Sequence, residues 1–125
     1  MTDARNAYLG GMVSTASPAR LLVMLYDRLV LDLERAADLQ ERLEFLAAAE
    51  QLMHAQEIVL ELQGALRPDV WDGARQLSGI YGFLHSELVR ANVRRDVTMT
   101  RGCLSLVRPL AETWREVAVA AVAVA

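Results

Sequence analysis

Lysine is absent from this chain: all 13 basic residues are arginine, a bias we read as genome composition rather than function. Against 16 acidic residues the net charge is −3, which argues against a nucleic-acid-binding surface. A single cysteine, Cys103, excludes an intramolecular disulfide framework and fits a reducing compartment. It lies on an apolar helical stripe and reads as core. Aromatic residues make up only 6% while hydrophobic residues make up 54%, so the core is aliphatic. Three prolines and seven glycines leave room for long helices. No apolar run approaches the ~20 residues that span a bilayer, so we expect no membrane insertion. The first residues lack an apolar segment behind a basic start, so we expect no secretory signal.

Reactive groupings are equally sparse. The two histidines are His54 and His85. A di-iron bundle needs two Glu-x-x-His motifs plus further carboxylates, and this chain has no Glu-x-x-His. Glu50, His54 and Glu57 could share one helix face, but a solvated polar face accounts for them more simply. There is no Gly-rich phosphate loop after a strand and no Gly-x-Ser-x-Gly elbow. No histidine neighbours Cys103 in sequence. We expect no catalysis, no metal and no cofactor.

What the chain does contain is helical periodicity. Its 125 residues fit one domain. Residues 1–17 read as a flexible N-terminal arm and helix cap: Gly10 and Gly11 weaken any helix there, Ser17 is a natural N-cap, and Pro18 suits a first helical position. Helix 1 is predicted from Pro18 to about Leu39, with Leu22, Leu25, Leu29, Leu33 and Ala36 as its stripe. Helix 2 is predicted from about Glu41 to Leu66, ended by Pro68. Helix 3 is predicted from Asp72 to Asn92, with Leu77, Ile80, Tyr81, Leu84, Leu88 and Ala91 inward and Phe83 and Val89 outside the stripe. Helix 4 is capped by Asp96 or Thr98 and runs to about Ala118, with Cys103, Val107, Leu110, Trp114 and Val117 inward. Pro109 in its interior predicts a kink, or two shorter helices meeting at Arg108. Residues 119–125 form an Ala/Val tail. Short connections between four helices favour an all-α, antiparallel up-down-up-down bundle over residues 18–118.

Helix 2 departs from the usual single apolar face. Leu52, Ala55, Val59, Leu62 and Leu66 make one stripe, and Leu46, Ala49, Met53 and Leu60 make a second. Gln56 and Gln63 lie between them; Glu50, His54, Glu57 and Glu61 form the polar side. Two readings stay open: a helix buried among several neighbours, or a second stripe that serves as a docking groove. Self-association through that stripe, as in a dimerising helical regulatory module, is the alternative use.

The opening segment carries a further signal. Tyr8, then Thr15-Ala16-Ser17-Pro18, then Leu21-Leu22-Val23-Met24-Leu25-Tyr26-Asp27 resembles the start of the flagellar secretion chaperone family, FliS. His54-Ala55-Gln56-Glu57-Ile58-Val59-Leu60-Glu61-Leu62 is similar to that family's second helix. Leu77, Ile80-Tyr81, Leu84, Leu88 and Ala91-Asn92 are similar to its third, and Leu104, Val107, Leu110 and Thr113-Trp114 to its fourth. Arg20, Arg28, Gly10-Gly11 and Pro109 depart from the pattern. The resemblance covers roughly residues 6–117.

The resemblance implies a cytoplasmic four-helix bundle that binds the disordered C-terminal segment of flagellin. Such a chaperone prevents premature polymerisation, keeps its client competent for flagellar type III export, and delivers it to the export gate. Whether it acts as monomer or homodimer is left open. The expected client contacts are Leu46, Met53 and Leu60 with Ile58, flanked by Tyr81, Leu84 and Leu88 of helix 3. Tyr8 of the arm is the next candidate, as a cover for an empty groove. Tyr26 and Asp27 follow, with Tyr26 packed and its hydroxyl at the edge, and Asp27 ordering a neighbouring helix end.

Overall fold

The computed structural model describes residues 18–67 and 73–124, with side chains to residue 120. The expected arm, the Ser17 cap, the Pro68 stop and the Asp72 start lie outside the described residues. Among the described residues four helices run in order: α1 (Pro18–Glu41), α2 (Phe45–Gly64), α3 (Gly73–Val93) and α4 (Val97–Val124). Each packs on the next, and α4 closes the ring against α1. The fold is the expected antiparallel four-helix bundle.

Aliphatic side chains fill the centre. Leu29, Leu33, Ala36, Leu52, Ala55, Val59, Leu84, Leu88 and Val107 have no exposed surface. Leu22 and Leu25, expected on the α1 stripe, pack at the margin of this core, while Leu21 and Tyr26 are buried. The Tyr26 and Tyr81 hydroxyls share a hydrogen bond of 2.5 Å across the diagonal from α1 to α3. Three polar residues are also buried. Gln40 donates to the Ala91 carbonyl at 3.2 Å and accepts from the Thr100 hydroxyl at 2.6 Å, so one α1 side chain ties the end of α3 to the start of α4. Asp32 bonds Arg28 at 3.0 Å and also meets His54 of α2.

The α1–α2 and α3–α4 turns are built alike. Glu44 N–H bonds the Leu39 carbonyl and Leu43 N–H bonds the Gln40 carbonyl. Asp96 N–H and Arg95 N–H bond the Ala91 and Asn92 carbonyls in the same way. These are Schellman terminations. The left-handed position is held by Leu43 (φ 61) in one and Arg95 (φ 53) in the other, not by glycine. Asp96 then caps α4, accepting from the N–H groups of Thr98 and Met99 at 2.9 and 3.2 Å. Glu44, the matching residue before α2, makes no side-chain cap.

An arginine ladder fixes the α1–α4 register. Arg115 pairs with Asp27, Arg108 with Glu34 and Arg101 with Glu41. Each rung lies one heptad from the last on both helices, and the order runs in opposite directions, as antiparallel packing requires. α4 is continuous through Pro109, which excludes two helices meeting at Arg108. It also continues past Ala118 to Val124. Pro109 and Ser105 are exposed, so the carbonyl that loses its helical donor faces water, which lowers the cost of the proline.

Candidate functional site

The two stripes of α2 have different fates. Ala48, Leu52, Ala55, Val59 and Leu62 enter the core. Leu46, Met53 and Leu60 remain 83%, 56% and 49% exposed. Their heptad spacing places them on one line along the helix, on the flank next to α3. Two contacts locate that flank. Gln63 Nε2 donates to the Ser78 carbonyl at 3.1 Å. Leu46 and Ala49 share a cavity of about 290 Å³ with Asn92 and Val93, closed on one side by Phe45 and Arg95. The Arg95 guanidinium lies 4.9 Å from the Phe45 ring centroid, a cation–π contact that holds this end of the groove.

On the α3 side, Val93 is 77% exposed and Val89 is also open. Gly82 sits level with Gln63 and offers no side chain. The result is an exposed apolar line along α2 that ends at this cavity, with Val89, Val93 and the side-chain-free Gly82 exposed or part-exposed on α3. Glu50 and Glu57 are exposed along its α2 edge, and Arg75 and Arg90 are exposed on α3. An exposed apolar line with polar rims is the usual form of a protein interaction surface.

Other expected contact residues lie elsewhere. Ile58 is buried in the core, one turn after His54, which meets Asp32 of α1, and so lies away from the exposed line. Tyr81, Leu84 and Leu88 are the inward stripe of α3 and are fully or almost fully buried. A helix residue that faces the bundle axis cannot also line its outer groove. These four therefore support the surface from beneath in this structure and do not form it. Tyr26 is packed as expected, but its hydroxyl is buried against that of Tyr81 and not at the edge. Asp27 is exposed and pairs with Arg115 of α4 at 2.5 Å, in the body of that helix and not at its end. Tyr8 lies outside the described residues. Val93 was missed from the sequence because it falls at the last turn of α3. Val89 was visible as an apolar residue off the main stripe, four positions earlier, and the two together mark the flank.

Among the described residues the ionisable groups form no reaction centre. Burial, with Glu87 nearby, pushes the Cys103 thiol up to about 11, so it is not a thiolate nucleophile at neutral pH. Burial raises both Tyr26 and Tyr81 above the ordinary tyrosine value. Among the described residues no group of three His, Cys, Asp or Glu side chains could hold a metal ion, and no helix is long and apolar enough to cross a membrane.

Comparison with known proteins points one way. The model of the family "Flagellar protein FliS" matches residues 1–121. The flagellar secretion chaperone FliS of Bacillus subtilis (strain 168) is 27% identical over 110 residues, covering 88% of this chain and 82% of the relative. A crystal structure of a bacterial flagellar chaperone superposes with a TM-score of 0.74 at 20% identity, covering 93% of this chain and 95% of that one. At that identity the superposition speaks to the fold.

Proposed function

This chain belongs to the flagellar protein FliS family, a family of cytoplasmic chaperones and not of enzymes, and from that premise we propose that its client is the disordered C-terminal segment of flagellin, bound in the α2–α3 groove. The observation that carries this reading is the exposed line of Leu46, Met53 and Leu60. A stable bundle gains nothing by leaving three large apolar side chains in water at heptad spacing. A client helix with apolar residues on one face would cover them, in the helix-in-groove mode of recognition. Met53 suits such a surface because its unbranched, polarizable side chain adapts to its partner.

Covering the client's apolar face is what stops it associating with other flagellin chains. Holding it outside its final fold keeps it fit for a narrow export channel, and handing it to the export gate completes the role. Ordering a disordered segment costs about 2–5 kcal/mol, and such interfaces bury on the order of 1,000–3,000 Å². That area exceeds one short groove, so the client extends beyond α2 and α3. Asp27 and Tyr8 are the further contacts we assign to it.

Methyl NMR of the full chain, titrated with the C-terminal segment of the same organism's flagellin, tests the site. The signals of Leu46, Met53, Leu60, Val89 and Val93 should shift most, while those of the buried Leu84 and Leu88 shift little. Unmoved groove methyls at saturating flagellin segment would remove this surface from the account.

A further inference from the structure

Resting on that client-binding reading, we infer that Gly82 is a close-approach position for the client helix, and that this helix carries basic residues on its flank toward α2 and acidic residues on its flank toward α3. Gly82 lies in the interior of α3, where glycine weakens a helix relative to alanine. The backbone does not ask for it, since no described glycine has a positive φ. Packing does not ask for it either. A Cβ at Gly82 would meet only Gln63 Nε2, at 3.7 Å, an ordinary contact. The bundle would be better served by alanine. What a missing side chain provides is room for another backbone to come near, and Gly82 is part-exposed beside Gln63, on the side of α3 that faces α2.

The rims state the charge of the occupant. Along the α2 edge Glu50 and Glu57 are exposed with no cation between them. On the outer side of α3 Arg75 is exposed, while Arg90 is drawn to Glu87, which it bonds at 3.1 Å. A helix seated between these rims is favoured when its own flanks carry the opposite signs, and the wrong rotation or direction sets like charges together. A second copy docking through its own α2 does not meet this requirement. The polar residues beside its apolar line are again Glu50 and Glu57, and that helix contains neither arginine nor lysine.

The test uses Gly82→Ala and, as control, Gly102→Ala on α4, where an added Cβ meets nothing within 4 Å. Each variant is melted and titrated with the flagellin C-terminal segment. Both substitutions should raise the melting temperature. Gly82→Ala should weaken binding about tenfold or more, while Gly102→Ala leaves affinity unchanged. In parallel, Glu57→Arg should weaken binding several-fold, and a segment with acidic residues replacing the basic ones on its α2-facing flank should recover it. A Gly82→Ala variant that is more stable and binds normally overturns the inference while leaving the function intact. One that is less stable shows the bundle itself needs the glycine, and also overturns it. Failure of the unaltered chain to bind the segment overturns the function and this inference together.

Discussion

Tyr26 on α1 and Tyr81 on α3 meet hydroxyl to hydroxyl, 2.5 Å apart, and join two helices that are otherwise diagonal in the bundle. Their rings lie 6.5 Å apart at 46°, so the hydrogen bond and not ring stacking is the specific element. Tyr81→Phe removes the tyrosine partner of the buried Tyr26 hydroxyl and leaves it only the Trp114 indole. The expected loss is about 1–3 kcal/mol, read by urea unfolding. Adding Tyr26→Phe removes the remaining hydroxyl, so the double variant should be less destabilised than the two single losses added together.

The same pair predicts an alkaline limit. Burial raises both tyrosines above their ordinary value of 10.0, and the unfolded chain deprotonates first. The stability this contributes is fully present below about pH 10 and is lost as pH rises through the unfolded value toward the folded one. Cys103, raised from 9.0 to about 11, acts in the same direction from pH 9 upward. Unfolding free energy measured from pH 8 to 11 should fall steadily past pH 9. A flat profile would contradict the burial of these groups.

The matched turns give a paired experiment. Asp96→Ala removes two bonds to helix N–H groups and should cost about 0.5–2 kcal/mol. Glu44 occupies the equivalent place before α2 with no side-chain cap, because its carboxylate sits one methylene further out. Glu44→Asp should therefore stabilise the chain, by up to about 1 kcal/mol. Thermal melts of the two variants should shift in opposite directions.

Met53 and Leu84 separate surface from core. Met53 is 56% exposed while Leu84 is fully buried. Met53→Glu should keep its helical circular dichroism and weaken flagellin binding by about tenfold or more, equivalent to about 1.4 kcal/mol. Leu84→Glu places a carboxylate in the core and should unfold the bundle.

Much of the architecture is legible in the chain. The stripes of α1, α3 and α4 are single and strong, and they place their helices within a few residues. Asp96 announces the start of α4 because its short carboxylate is a recognisable cap. The end of α1 is not legible in this way. A Schellman termination is normally read from glycine, and here Leu43 holds the left-handed position instead. For the same reason Arg95 gives no warning at the end of α3. The candidate surface was half legible. Two stripes on α2 show that something must meet the second, which singles out Leu46, Met53 and Leu60. The α3 partners of that line depend on which way α3 is turned in the bundle. Tyr81, Leu84 and Leu88 are the most apolar residues available, and for that reason the core takes them. What remains for the groove is Val89, Val93 and a glycine, whose side chains carry little periodic signal. The arginine ladder is present as heptads on α1 and α4, but its meaning appears only when the two helices are set antiparallel.

The most direct test of the account is titration calorimetry of the full chain against the C-terminal segment of its own flagellin, repeated at several temperatures and with Met53→Glu. The account predicts a large favourable enthalpy and a negative heat-capacity change, as for a disordered segment that folds on binding, with affinity lost in the folded Met53→Glu variant. No binding by the folded, unaltered chain would contradict it.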